Sequence, residues 1–122
     1  MYQIVLDGEQ SVINVTLSGM MTLDEVAAYI TDVRRTCVAN RLREYAMVID
    51  VRDCPIQQQD TIKAMGAHMA TMPKARSLAV VTGSSLAKMQ IRRLFTQPYA
   101  RIVNTIEEGQ AWVVQHVEPL PA

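Results

Sequence analysis

The stretch SVINVTLSGMMTLDEVAAYITDVRRTCVANRLREYAMVIDV, residues 11–51, decides the fold. Residues 11–17 interleave Val, Asn and Thr among apolar positions, the alternation of a half-buried strand, and Gly19 then breaks the chain. Thr22 opens a helix with a capping box: its hydroxyl accepts the Glu25 amide, and the Glu25 carboxylate reaches back to the Thr22 N–H. Leu23, Val26, Ala27, Ile30, Val33 and Cys37 recur at steps of three and four and predict one apolar stripe. Asp24 and Glu25 lead while Arg34 and Arg35 trail, the order that the helix dipole prefers. Residues 45–51 (YAMVIDV) form a nearly continuous apolar run of strand length, as expected where both faces of a strand are covered. Strand, helix and strand make one β-α-β unit.

Working outward, residues 2–6 (YQIVL) read as a strand, and Asp7-Gly8 before residue 11 predicts a hairpin. Downstream, Asp60 is placed to cap a helix whose Ile62, Met65, Met69 and Met72 share a face, ended by Pro73. Residues 77–82 (SLAVVT) repeat the buried-strand pattern. Ser84 or Ser85 caps a further helix with Leu86, Met89, Leu94 and Phe95. A short strand at 100–103 precedes Thr105, which with Glu108 repeats the capping-box logic and opens a last helix carrying Trp112 and Val113. The order β-β-α-β-α-β-α-β-α predicts an α/β fold, a mostly parallel sheet of about five strands with four helices and an antiparallel edge. One domain over residues 1–122 is expected, with 118–122 as a frayed tail.

Composition narrows the function. The chain has 122 residues, of which 49% are hydrophobic, enough to bury roughly 68% of its unfolded surface in one core. Twelve Lys plus Arg balance twelve Asp plus Glu, which argues against a globally basic nucleic-acid binder and against an acidic disordered segment. No apolar run approaches the roughly 20 residues needed to span a bilayer, and the first 20 residues carry no Lys or Arg to form a signal-peptide n-region. Cys37 and Cys54 lie outside any CxxC pair, which indicates a reducing compartment and a cytoplasmic protein. No cofactor motif is present.

The stretches LSGMMTLDEVAAYI, AMVIDVRDCPI, RSLAVVTGSS and ARIVNTIEEGQAWV, in this order, resemble the STAS family (sulphate-transporter and anti-sigma-factor-antagonist), in its divergent SpoIIAA-like branch. The resemblance covers roughly residues 10–116. It implies a β/α superhelix whose relatives bind partners, nucleotides or lipids rather than turn over a substrate. Anti-sigma-factor antagonists carry Asp-Ser-(Ser/Thr)-Gly as a phosphoacceptor signature after the central strand. Aligned without a gap from Asp50, the acceptor falls near Gln59, which has no hydroxyl; a two-residue shift puts Asp60-Thr61 over Asp-Ser, with no Gly following. Thr61 at a helix start therefore has two readings, a phosphoacceptor at an anion-favouring terminus or a plain first-turn residue behind an Asp60 cap.

Other constellations also carry two readings. Asp50, Arg52, Asp53 and Cys54 fall at the carboxyl end of a predicted parallel strand, where open α/β sheets place ligand crevices. Cys54 is a nucleophile only if a base lowers its pKa, and His68 and His116 have no catalytic or metal-ligand spacing; the charges also suit an Asp50–Arg52 ion pair. Gly83, Ser84 and Ser85 form either an anion-cradling turn or an ordinary cap. Residues 61–106 hold no Asp or Glu but contain Lys63, Lys74, Arg76, Lys88, Arg92, Arg93 and Arg101. Lys88, Arg92 and Arg93 share one helix and could meet an acidic partner or an anionic headgroup. The Met65–Met69–Met72 stripe fits a core, a second subunit or an apolar ligand. The expected function is a non-enzymatic regulatory module acting through protein contacts and self-association, with no nucleic-acid partner, since aromatics are 5% and no stacking motif accompanies the basic residues. The alternatives are a carrier of a small anionic or lipidic ligand and, last, a Cys54-dependent enzyme.

Overall fold

The computed structural model describes residues 1–72 and 75–119, without the Met69 side chain. Its elements are β1 (Tyr2–Asp7), β2 (Val12–Ser18), α1 (Leu23–Ala39), β3 (Ala46–Asp53), α2 (Gln59–Thr71), β4 (Ser77–Val81), α3 (Ser85–Leu94), β5 (Ala100–Val103) and α4 (Ile106–Gln115). The five strands lie side by side in chain order. β1 runs antiparallel to β2, and every other neighbouring pair is parallel. This is the α/β architecture predicted from the order of strand and helix patterns, antiparallel edge included.

Side-chain alternation divides the core in two. Ile13, Val15 and Leu17 of β2, Met47 and Ile49 of β3 and Leu78 of β4 pack with Val26, Tyr29, Ile30 and Val33 of α1. Ala64 and Met65 of α2 complete that layer. On the opposite face Val12, Ala46, Val48, Ala79, Val81 and Val103 meet Trp112 and Val113 of α4. The small residues of β3 and β4 let α4 approach closely. A Cβ on Gly109 would lie 3.4 Å from Val48 and 3.5 Å from Ala79 and Val103, so the helix rests on the sheet through its glycine.

Signals between near neighbours in the chain are largely met in the structure. Thr22 caps α1 with both arms of its capping box in place. Thr105 caps α4, but the returning Glu108 carboxylate accepts the Asn104 N–H, one residue earlier than the box predicts. The hairpin is present, with its turn extending over residues 8–11. Asp7 Oδ1 accepts the Gln10 N–H, and the left-handed residue is Ser11 (φ 53°) rather than Gly8. Gly19 does adopt φ +70°, which favours glycine after β2.

Several positions differ from the expected faces. On α1, Tyr29 is buried, while Leu23 is 54% exposed and Ala27 is exposed. On α3, Ile91 is the buried residue; Leu86 and Met89 face outward. Asp60 is not the cap of α2, because the helix already begins at Gln59. Pro73, the expected terminator, lies outside the described residues, as do Lys74 and residues 120–122 of the expected frayed tail. Glu118 of that tail holds Arg101 through paired bonds of 2.7 and 2.8 Å.

Candidate functional site

The carboxyl ends of β2 and β3 feed two loops that the side chain of Gln57 joins. Its Oε1 accepts the Met21 N–H at 2.8 Å, and its Nε2 donates to the carbonyls of Gly19 (3.2 Å) and Pro55 (2.7 Å). One donor and two acceptors thus match the two ends of a carboxamide. Gln90 of α3 donates its Nε2 to the Gln57 carbonyl at 3.1 Å, tying the third helix to the same junction. Neither glutamine was singled out from sequence. Only the low hydropathy of Gln90 on the inward face of α3, between Ala87 and Ile91, marks it in the chain.

Beneath this junction, on the α1–α3 side of the sheet, lies a cavity of about 70 Å³. Ile49, Val51 and Val80 form its floor, Ile62 and Met65 of α2 and Ala87, Ile91 and Leu94 of α3 its walls, and Cys54, Pro55 and Gln57 its loop side. The lining is almost wholly apolar. A water needs roughly 10–15 Å³ of such space and two to four polar partners, so this space suits a few apolar heavy atoms better than solvent.

The structure separates the residues grouped from sequence. Asp50 points to the α4 side, where Arg52 donates Nε and NH2 to its two carboxylate oxygens at 2.9 Å each and its backbone N–H at 3.0 Å. The Arg52 guanidinium therefore holds the Asp50 carboxyl below its usual range. This is the ion-pair reading of the two charges. Cys54 lies on the other side of the sheet, lining the cavity. Burial pushes its thiol up; the N-terminal amine opposes this, the Asp53 and Asp50 carboxylates add to it, and the net rise is the reverse of an activated nucleophile. Asp53 is exposed.

Thr61 is 3% exposed, and its hydroxyl donates to the Met21 carbonyl at 3.2 Å. Gln59 and Asp60 are exposed on the first turn of α2. Asp60 and Thr61 border a shallow hollow shared with Met20, Thr22, Leu23 and Asp24, so two acids occupy the first turns of α1 and α2 there. Of the turn before α3, Ser84 is the cap: its Oγ accepts the Ala87 N–H, and its own N–H donates to Thr82 Oγ1. Gly83 has open space around it and no positive φ, so its lack of a side chain is not required there.

The basic stretch is divided rather than gathered. Lys88 Nζ donates to Asn104 Oδ1 at 2.6 Å. Arg92 borders a hollow with Phe95 and Arg101 beside β5. Arg101 pairs with Glu118 and stacks 4.2 Å above the Trp112 ring. Arg76 binds the carbonyls of Gln10 and Val113. Arg93 is exposed on the last turn of α3. His68 on α2 and His116 at the end of α4 belong to helices on opposite faces, and among the described residues no three His, Cys, Asp or Glu gather where a metal could be held. No helix among the described residues is long and apolar enough to cross a membrane. No protein-family model and no curated protein matches the chain.

Proposed function

We propose that this chain is a non-enzymatic binding module of the STAS, SpoIIAA-like type, regulatory in role, cytoplasmic, and self-associating. Its working surface is the carboxyl edge of the sheet, where an aliphatic side chain of a protein partner enters the space between α2 and α3. One observation carries the reading. Of the groups at this edge that could do chemistry, Asp50, Thr61 and Ser84 are engaged in holding the fold, and the space beside them is apolar. Asp50 is neutralised by Arg52, Thr61 is buried against Met21, and Ser84 caps α3. Cys54 is a raised-pKa thiol rather than a thiolate. The cavity of about 70 Å³ has room for the end of a Leu or Met side chain and none for a nucleotide.

The same cavity favours one second reading, a carrier of a lipidic ligand whose chain end occupies it. Xenon-pressure NMR of the methyl groups, together with native and denaturing mass spectrometry, tests both. Saturable shifts at Ile49, Val80, Ile91 and Leu94, with no adduct in the native spectrum, support the interaction module. A native adduct lost on denaturation moves the assignment to the carrier. Absence of any xenon response overturns both, because the cavity would then be inaccessible.

A further inference from the structure

We infer that two copies of this chain join through β1 in a two-fold antiparallel pair, making one ten-stranded sheet from two five-stranded ones. The hydrogen-bond parity of β1 sets the register. Met1 and Ser18 exchange both backbone bonds across the hairpin, each at 2.9 Å. With pairing of Tyr2 to Leu17, Gln3 to Thr16 and so on, the odd residues bond inward to β2, and Tyr2, Ile4 and Leu6 turn their N–H and C=O outward. An antiparallel second copy meets these groups in self-complementary fashion. Ile4 faces Ile4 of the partner copy, and Tyr2 faces Leu6 of the partner copy in both directions. Three pairs of two bonds each give about six hydrogen bonds.

The sequence does nothing to blunt this edge. Residues 2–7 (YQIVLD) contain no Lys, Arg or Pro, and their one charge, Asp7, sits at the end. Edge strands that must stay single usually carry such residues or are short or bulged; β1 has six residues in unbroken register with β2. Charge specifies the occupant. α1 runs alongside β1: Tyr2 Oη bonds Asp32, and the rings of Tyr2 and Tyr29 are 5.9 Å apart. Because the two-fold is perpendicular to the sheet, the two α1 helices lie antiparallel on the same side. Asp24 at the start of one is then turned toward Arg35 in the second half of the other, on the same stripe as Ala28; Glu25 is held by the Met1 amine, and Arg34 is turned the other way, toward Thr71 of α2. Exposed Ala28, small enough for close approach, lies between these ends. A second copy satisfies both the hydrogen bonds and the charges.

The proposal rests on the self-association in the reading above but not on the cavity: a monomeric wild type overturns both the self-association and this interface, a folded Ile4→Pro that stays dimeric overturns this interface alone, and neither touches the reading of the carboxyl edge. Light scattering after size exclusion, with sedimentation over micromolar to millimolar concentrations, gives the mass of the full chain. Wild type is expected as a dimer. Ile4→Pro removes an outward N–H without touching the β1–β2 ladder, a position where an edge strand tolerates proline. The variant is expected as a monomer with unchanged far-UV circular dichroism. A monomeric wild type, or a folded Ile4→Pro that remains dimeric, overturns the proposal. Should Ile4→Pro fail to fold, a second pair of variants decides. In a Cys37→Ser, Cys54→Ser background, Gln3→Cys with Val5→Cys sets thiols opposite each other across the two-fold, at a non-hydrogen-bonded pair about 4.5 Å apart in Cα. Mild oxidation should then give a covalent dimer from the double variant and little from either single one; no covalent dimer overturns the proposed register and the proposal with it.

Discussion

Replacing Gln57 by alanine tests how the loops after β2 and β3 are held together. The substitution removes three hydrogen bonds, but they are not equal. The carbonyls of Gly19 and Pro55 are in exposed surroundings and regain water. The Met21 N–H belongs to a residue only 3% exposed, so it is left without a partner. An orphaned buried donor costs about 1–3 kcal/mol, and we take about 2 for the variant. For 122 residues at about 2.1 cal/mol/K each, the unfolding entropy is about 0.26 kcal/mol/K, so the melting temperature should fall by about 8 °C. Thermal unfolding followed by circular dichroism reads the shift, and hydrogen exchange at the Met21 amide reads its cause. Gln57→Met, which keeps the length but not the carboxamide, should cost nearly as much. A melting temperature within about 2 °C of wild type, or undiminished protection of the Met21 amide in either variant, would refute the reasoning.

Three further outcomes follow from the same geometry. Asp50 has a lowered folded pKa, so its pairing with Arg52 stabilises the fold above the ordinary carboxylate value of about 3.9 and is lost as pH falls through the folded value. Asp50→Asn should therefore melt lower than wild type at neutral pH and converge with it near pH 2, and parallel melting curves across that range would count against the pairing. Because the Cys54 thiol is raised by burial and by neighbouring carboxylates, iodoacetamide should modify it more slowly at neutral pH than a free cysteine and faster only at alkaline pH; rapid neutral labelling of folded protein, located by peptide mapping, would reopen the nucleophile. Val80→Ile adds one methylene toward the cavity and should raise stability by about 0.8 kcal/mol, about 3 °C by the entropy above, whereas a fall would mean the space is already filled or too rigid.

What could be read in the chain and what could not divide along the range of the interactions. Thr22 with Glu25, Ser84 before α3 and Thr105 with Glu108 act within four residues, so the helix starts stand in the sequence. The run 45–51 likewise announces a strand covered on both sides, and the mostly parallel pairing follows from strands alternating with helices, whereas the order of the strands in the sheet is seen only in the structure. Which face of a helix is buried depends on what it docks against. Ile91 is buried while the more N-terminal Leu86 and Met89 face out, a choice that the hydropathy of these three apolar residues does not reveal.

The candidate site was legible in its location and not in its chemistry. The carboxyl end of β3 is where the strand pattern points, yet side-chain alternation sends Asp50 to the α4 face and leaves Cys54 with the cavity on the other. Gln57 escaped notice because its three partners, Gly19, Met21 and Pro55, come mostly from 36 to 38 positions away. The sequence by itself determined the caps of α1, α3 and α4, the strand runs and the mostly parallel sheet with its antiparallel edge, because these rest on backbone bonds and burial patterns between near neighbours. Tertiary structure alone decided that Arg76, Lys88 and Arg101 are drawn to separate partners and that an apolar space opens beneath the Gln57 junction. Both depend on which distant side chains the packed helices bring within reach.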